Sequence, residues 1–390
     1  MKLWLMRLVA CVGAGCLWFL ACADFDIWPL AWIAFVPQFL ATRGVTPRRA
    51  FFWGWVTGIT ANAGGFYWIT LLLQRFGHMS LVPSVALFML LAAYQGLHFG
   101  LFAYLYRKIE QRAARREGRL ATLPMTLLAP LVFTSMELIM PFIFPWYVAI
   151  TQAWVLPVIQ VAELAGPLGV TFLLLLSNGL VYDLILSRIE RRPLPLRRLA
   201  ASGAVIAAAL TFGLVRIGQI EDRRAAAPRV KVGMVQANVG IVEKGRAALA
   251  PRHLALHHRV SRELVDDGAE LLVWPESSYP YAFERSMTRD WPRGHRYEVM
   301  RGLGVPLIFG TLTYSREEKY PYNSAFMMEP DGRITGRFDK NFLLIFGEYI
   351  PFLEQVPQFR SWFPEASHFN RGTEVTTFPF RDWRIGPMIC

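Results

Sequence analysis

Charge is what this chain has least of. Only 18% of its 390 residues are Asp, Glu, Lys or Arg, against about 25% in ordinary soluble domains. With 54% of residues hydrophobic and a mean hydropathy of +0.31, that shortage excludes a disordered chain and a plain cytosolic enzyme. Cysteine is scarce too. Three of the four cysteines, Cys11, Cys16 and Cys22, fall in the first apolar run and the fourth is Cys390, which excludes a disulfide scaffold. Their spacing fits neither a metal site nor one helix face, so the first three read as small residues of a lipid-embedded helix. Lys and Arg are absent from residues 141–166.

The charge that is present is unevenly spread. Residues 1–220 carry 18 Lys and Arg against 8 Asp and Glu, whereas residues 221–390 carry 23 against 21. The basic excess therefore belongs to the apolar half, which points to membrane topology and anionic lipid, not nucleic acid. Crossing about 30 Å of hydrocarbon takes roughly 20 mostly apolar residues. Seven runs qualify: 4–22, 27–41, 51–73, 81–106, 122–140, 167–187 and 199–218, the second interrupted by Pro29 and Pro37. Arg43, Arg48 and Arg49 follow the second run. Arg107, Lys108, Arg112, Arg115, Arg116 and Arg119 follow the fourth, and Arg188, Arg191, Arg192, Arg197 and Arg198 follow the sixth. If seven spans alternate, all of these share a side with the N-terminus, and the positive-inside rule makes that side cytoplasmic. Residues 219–390 then emerge on the far side. The first run has the basic start of a signal peptide, and Leu20-Ala21-Cys22 is partly like a lipoprotein cleavage box; Phe19 fits that box poorly, and six more runs follow, so it reads as a retained helix.

Within this half, Glu137 lies near the end of an apolar run, where an ionisable group is a functional candidate unless it snorkels to the interface. The aromatic segment 141–166, with Phe142, Phe144, Trp146, Tyr147 and Trp154, is expected to lie in the interface. It could also line a path for an acyl chain, with Trp146 and Glu137 as lipid-access candidates.

Past the Ala-Ala-Ala-Pro linker the pattern changes to strands alternating with helices, an α/β layer domain over 229–390. Expected strands are RVKVGMVQA (229–237), ELLVWPE (270–276), PLIFGTLTY (306–314), a pair about Pro-Asp-Gly in 323–338, and WRIGPMIC (383–390); helices are expected at 247–267 and 286–303. His253 and His257 at i, i+4 invite a zinc reading, but no third ligand or adjacent Glu supports it. Three reactive side chains stand at strand ends, where function collects in open α/β folds: Glu276 after ELLVW, Lys340 after ITGRF and Cys390 after WRIGPMIC. A carboxylate can take the thiol proton, and the thiolate can attack a carbonyl. An ammonium can lower the thiol pKa and stabilise the oxyanion.

These segments carry a resemblance. WPESSYP (274–280), FDKNFLLIFGEYIPF (338–352) and IC (389–390) resemble the Glu, Lys and Cys segments of the nitrilase (carbon–nitrogen hydrolase) superfamily, in the same order. Seven spans before such a domain, with FFWGWVTGITANAGGFYWI (51–69), SMELIMPFIFPW (135–146), MVQANVG (234–240) and YNSAFMMEPDGRITGRFDKN (322–341), are similar to the apolipoprotein N-acyltransferase family along essentially the whole chain. The resemblance implies a transmembrane helical domain at 1–220 and a nitrilase-like αββα sandwich at 229–390, in the bacterial inner membrane with the catalytic domain periplasmic. It implies acyl transfer from a phospholipid, typically phosphatidylethanolamine, through a thioester on Cys390 to the α-amine of a diacylglyceryl-cysteine apolipoprotein. Glu276 would be the general base, Lys340 the oxyanion stabiliser and Glu348 a supporting glutamate; no metal or soluble cofactor is implied.

Family members continue past the cysteine with a Tyr, a third glutamate, more sheet and an eighth span. The expectation is therefore that the sequence is C-terminally incomplete, and that a chain ending at Cys390 is inactive for want of an oxyanion-binding N–H. Rival readings are a membrane-tethered amidase or nitrilase, a non-catalytic lipoprotein-binding remnant, and a transporter. Cys390→Ala separates the classes, abolishing acyl transfer and sparing binding or transport.

Overall fold

The computed structural model describes residues 1–22, 24–75, 77–115, 123–345, 347–350, 355, 358 and 368–390. Arg116 and Arg119 of the second basic loop, and Phe346, Pro351 and Phe352 of the FGEYIPF segment, lie outside them. Two units separate at Ala227/Pro228.

The first unit is helical: α1 (Lys2–Leu20), α2 (Val36–Thr42), α3 (Pro47–Gly65), α4 (Ile69–Arg75), α5 (Leu81–Ala113), α6 (Met125–Ile139), α7 (Leu156–Ile159), α8 (Ala162–Ile189) and α9 (Leu196–Ala226). Among the described residues, α1, α5, α8 and α9 are each long and apolar enough to cross a membrane. The pair α3 and α4, bent by 54°, makes a fifth. The second and fifth expected runs appear as shorter apolar helices, Trp28–Thr42 and Met125–Ile139.

Proline decides the form of the second run. Pro29 and Pro37 break regular hydrogen bonding, so the run folds as a 3-10 turn, Trp28–Trp32, followed by α2. Freed backbone groups inside hydrocarbon need partners, and α8 supplies one. Asn178, fully buried, donates to Ala31 O and accepts from the Phe35 N–H, both at 2.8 Å. Gln152 Nε2 donates to Trp28 O at 3.2 Å.

Close helix contact depends on missing side chains, as is common in lipid. A Cβ on Gly58 of α3 would meet Gly96 O of α5 at 2.5 Å, and one on Gly54 would meet Phe99 O at 2.5 Å. Around this seam the rings of Phe35, Phe99, Phe102 and Phe133 pack edge-on or stacked.

Glu137 does not snorkel. It is buried, and its Oε1 accepts the Val148 N–H at 2.8 Å, holding the start of a 3-10 turn at Val148–Gln152. Much of the aromatic segment is likewise drawn inward. The Trp146 ring sits 4.1 Å from Trp18 and 4.6 Å from Phe66, and a Cβ on Gly65 would strike its indole. Val148, Ala149, Thr151 and Gln152 are buried, while Trp154 is 77% exposed.

The second unit is built on a mixed six-stranded sheet: β1 (Val232–Met234), β2 (Leu271–Val273), β3 (Phe283–Glu284), β4 (Leu307–Tyr314), β5 (Tyr322–Met328) and β6 (Ile334–Asp339). The order is β1-β2-β4-β5-β6, with β3 also on β4; pairing is parallel as far as β4 and antiparallel after it. A four-residue helix, α10 (Ile241–Lys244), and the amphipathic α11 (Ala250–Asp266) lie between β1 and β2. Leu254 of α11 joins Trp274, Phe283, Phe309 and Phe326 in one core. A separate hairpin, β7 (Phe378–Phe380) with β8 (Trp383–Ile385), puts Phe378 and Phe380 with Leu271, Met327 and Phe338 in another.

Two expectations fail here. Residues 286–303 form turns, not a helix. Asp290 accepts the N–H groups of Trp291, Val299 and Met300 at 2.7–2.9 Å, an alternative to helical pairing, and Pro292 and Gly294 interrupt the run. The last strand spans only Trp383–Ile385 and pairs with β7 outside the main sheet, so Cys390 follows it by five residues and is not a strand-end residue.

Candidate active site

Glu276 stands on the bend that follows β2. Trp274 anchors that bend: its N–H reaches Ile308 O at 2.8 Å, its indole N–H reaches Ser261 Oγ at 2.9 Å, and His257, His258 and Phe309 pack on its ring. Pro275 then ends strand pairing. Beyond Glu276, Ser277 takes φ +49°, a left-handed conformation uncommon for a non-glycine residue. Gly310 O on β4 accepts from Tyr279 N at 3.0 Å and Ser278 Oγ at 3.3 Å. Only a glycine lets β4 come this close, because a Cβ at Gly310 would lie 2.6 Å from Ser277 N and 2.8 Å from Glu276 Cα.

Lys340 is the first residue after β6. Its N–H bonds Asn323 O at 2.8 Å, which continues the β5–β6 pairing by one step. Asn323 and Lys340 thus project from one face of the sheet. Neighbouring Asp339 points the other way, into a web with Ser324 Oγ (2.6 Å), Arg285 (2.7 Å) and Arg337 (3.6 Å).

Glu276, Lys340 and Glu348 converge with Asn323, and Cys390 does not join them. Lys340 Nζ lies 2.8 Å from Glu348 Oε1 and 3.5 Å from Glu276 Oε1. Asn323 Nδ2 donates to Glu276 Oε1 at 2.6 Å and faces Glu348 Oε1 at 3.4 Å. Glu348 Oε2 accepts the Leu344 N–H at 2.9 Å, closing its own loop. The Lys340 and Glu348 side chains are 5% and 14% exposed, whereas that of Glu276 is 42% exposed. A buried ammonium without a partner is strongly destabilising, and Glu348 is the nearest carboxylate to Lys340 Nζ. Glu276 keeps a water-facing carboxylate.

Cys390 is exposed, and among the described residues no hydrogen bond or ion pair joins it to Glu276 or Lys340. His253 and His257 are buried residues of α11, with His257 Nδ1 bonded to His253 O at 2.8 Å. Burial holds the His257 imidazole below its usual range. Sequence reasoning missed Asn323 and Gly310. An Asn inside the otherwise apolar YNSAFMM strand, opposite the lysine, was the available signal for the first; nothing in the sequence marked the second.

Comparison with known proteins meets this geometry from the outside. Residues 14–180 match the apolipoprotein N-acyltransferase N-terminal domain, and residues 231–390 match the carbon-nitrogen hydrolase family. An apolipoprotein N-acyltransferase of Geobacter metallireducens is 31% identical over 97% of this chain and 71% of its own length. The chain belongs to the apolipoprotein N-acyltransferase family. Relatives of the same name from Azotobacter vinelandii (30% identical, 97% of this chain, 71% of the relative) and Haemophilus ducreyi (28%, 88% and 66%) agree. Family membership joins an apolar helical region to a carbon-nitrogen hydrolase unit in one bacterial membrane protein and makes it an acyltransferase, and the Glu276–Lys340–Glu348 cluster falls within the second matched region.

Proposed function

We propose that this chain is a phospholipid:apolipoprotein N-acyltransferase of a bacterial inner membrane, acting through a thioester on Cys390. The observation that carries the reading is the buried Lys340 ammonium between Glu276 and Glu348, in a chain that the N-acyltransferase N-terminal domain matches before the linker and the carbon-nitrogen hydrolase family after it. Glu276 Oε1 is occupied by Asn323 and Lys340, which leaves Oε2 to take the Cys390 proton. The thiolate attacks the ester carbonyl of the phospholipid, and Lys340 stabilises the tetrahedral oxyanion. Collapse breaks the ester C–O bond, and Glu276 returns the proton to the departing glycerol oxygen, releasing a lysophospholipid. The α-amine of the diacylglyceryl-cysteine then attacks the thioester and loses its proton to Glu276. Expulsion of the thiolate leaves the amide product, and Glu276 reprotonates the sulfur. Glu348 and Asn323 position the pair.

Phosphatidylethanolamine is the proposed donor, and a nitrilase-like αββα sandwich the proposed fold of the catalytic domain at 229–390, after a membrane domain at 1–220. Seven crossings with a cytoplasmic N-terminus, and hence a periplasmic catalytic unit, are the proposed topology; the fourteen basic residues after the second, fourth and sixth runs support it. Trp146 and Glu137 are proposed to shape the path of the lipid, so Trp146→Ala should slow acylation by phospholipid more than transfer to the amine. Equal slowing of both half-reactions rejects that role.

The test is the intact mass of the full chain after incubation with phosphatidylethanolamine. One acyl group should appear on Cys390, be lost on adding a diacylglyceryl lipopeptide, and be absent from Cys390→Ala. Ammonia release from small amides without any adduct transferable to lipopeptide would instead select an amidase.

A further inference from the structure

A cavity of about 190 Å³ is lined in part by Glu276 and not by Lys340, and the reaction as proposed assigns no part of the substrate to it. Its walls are the 236–244 segment, the start of α11 and residues 275–280, and its polar groups include Gln236, Asn238, Lys244, His257 and Ser277. We propose that this cavity is an anion subsite that receives the phosphodiester of the acyl donor's headgroup, with Lys244 as its cation.

Several independent observations support the assignment, which rests on the acyl-transfer reading. First, the Lys244 ammonium has one hydrogen bond among the described residues, to the Glu276 carbonyl oxygen at 3.1 Å; an ammonium carries three donors, so donors remain for a ligand. Second, the Glu276 carboxylate, the acidic side chain of the cavity's lining, is bonded by Asn323 and Lys340, which offset its charge. Third, the walls are held in costly conformations. Asn238 at φ +50° and Ser277 at φ +49° are both left-handed non-glycine residues, and such strain concentrates at ligand clamps. Burial draws the Lys244 ammonium below its usual range while Glu276 pulls it back, so an added anion would be a favourable partner.

The position suits the substrate. In a glycerophospholipid the reacting ester and the phosphate are joined by one short glycerol unit. A phosphate on Lys244 therefore delivers the ester carbonyl to the neighbourhood of Glu276 and leaves the Lys340 side free for the oxyanion. Another cavity of the unit, about 340 Å³ between α11, Tyr281 and Arg301, shares no residue with this cluster.

Binding and turnover are tested separately on the purified full chain in uncharged detergent. By titration calorimetry, glycerophosphoethanolamine should bind the unaltered chain and Lys244→Arg. It should bind Lys244→Gln at least tenfold more weakly. No binding, or equal binding to all three, overturns the subsite whatever the turnover. Binding of inorganic phosphate with none of glycerophosphoethanolamine overturns the headgroup assignment and leaves a free-phosphate site. In turnover, Lys244→Gln should lower the preference for phosphatidylethanolamine over an uncharged p-nitrophenyl ester at least tenfold. Equal losses on the two donors overturn the proposal. Lys244-dependent binding without any acylation of Cys390 keeps the subsite and rejects the acyl-transfer reading.

Discussion

In the proposed site a single lysine Nζ lies between carboxylate oxygens at 2.8 and 3.5 Å. Because Lys340 is almost fully buried, its place depends on Glu348, and a displacement of about 1 Å at a reacting group can cost roughly 10²-fold in rate. Glu348→Ala should therefore slow Cys390 acylation by about 10²-fold, mainly in kcat. Glu348→Gln, whose amide oxygen can still accept from Lys340, should recover part of that rate. Time-resolved intact mass reads the difference, and equal rates for Ala and Gln would exclude a positioning role. His258 makes a second prediction. It is fully buried, with Nε2 bonded to Val299 O at 2.8 Å, and burial pushes its imidazole down to about 4. The unfolded chain binds that proton below about 6.5 and the folded unit does not, so stability is lost as pH falls from about 6.5 to 4, by an amount on the order of 3 kcal/mol. Thermal unfolding of the chain in detergent should show this slope, and His258→Asn should flatten it. An unchanged slope in that variant assigns the titration to another group.

Among the elements, β4 has the most to do with Glu276. The strand touches the 275–279 bend through the backbone of Gly310, and the contact leaves no space for a methyl group. Gly310→Ala should push the bend away from Lys340, lowering kcat by about 10²-fold while costing about 1–3 kcal/mol of stability, as overpacking does. Parallel measurement of kcat and thermal stability decides the matter. A stability loss with kcat intact would mean the bend moves without Glu276. In the helical unit the Gly58–Gly96 contact between α3 and α5 is the corresponding close approach.

For the whole molecule, the governing feature is the segregation of charge. The first 220 residues hold an excess of ten basic groups and the remainder an excess of two. The basic groups of the apolar part gather in three connections, which positions them to set topology. A reporter fused after Ala113 should stay cytoplasmic, and one fused after Ala227 should be exported. Export of the first or retention of the second reverses the proposed orientation. Both reporters on one side would mean an even number of crossings between them, and the short helix Met125–Ile139, which lies between the two fusion points, would be the first candidate for a segment that does not span.

Legibility followed the range of the forces involved. The first, third, fourth, sixth and seventh apolar runs, α11, and the β5–β6 hairpin about Gly332 at φ +82° were readable, because composition, periodicity and turn chemistry act over a few neighbouring residues. Glu276 and Lys340 were readable as reactive types near strand ends. The helix expected at 286–303 failed because one carboxylate, Asp290, captured N–H groups up to ten residues away. Glu137 and Trp146 turned inward because Val148, Trp18 and Phe66 met them there. The sequence alone determined an apolar helical half, an α/β half and the residue types of an acyl-transfer site. Only the tertiary structure decided that Asn323 and Glu348 bracket Lys340, that Gly310 makes room for Glu276 and that Lys244 faces a cavity. Those contacts join residues far apart in the chain, and their energies exist only once the sheet has assembled.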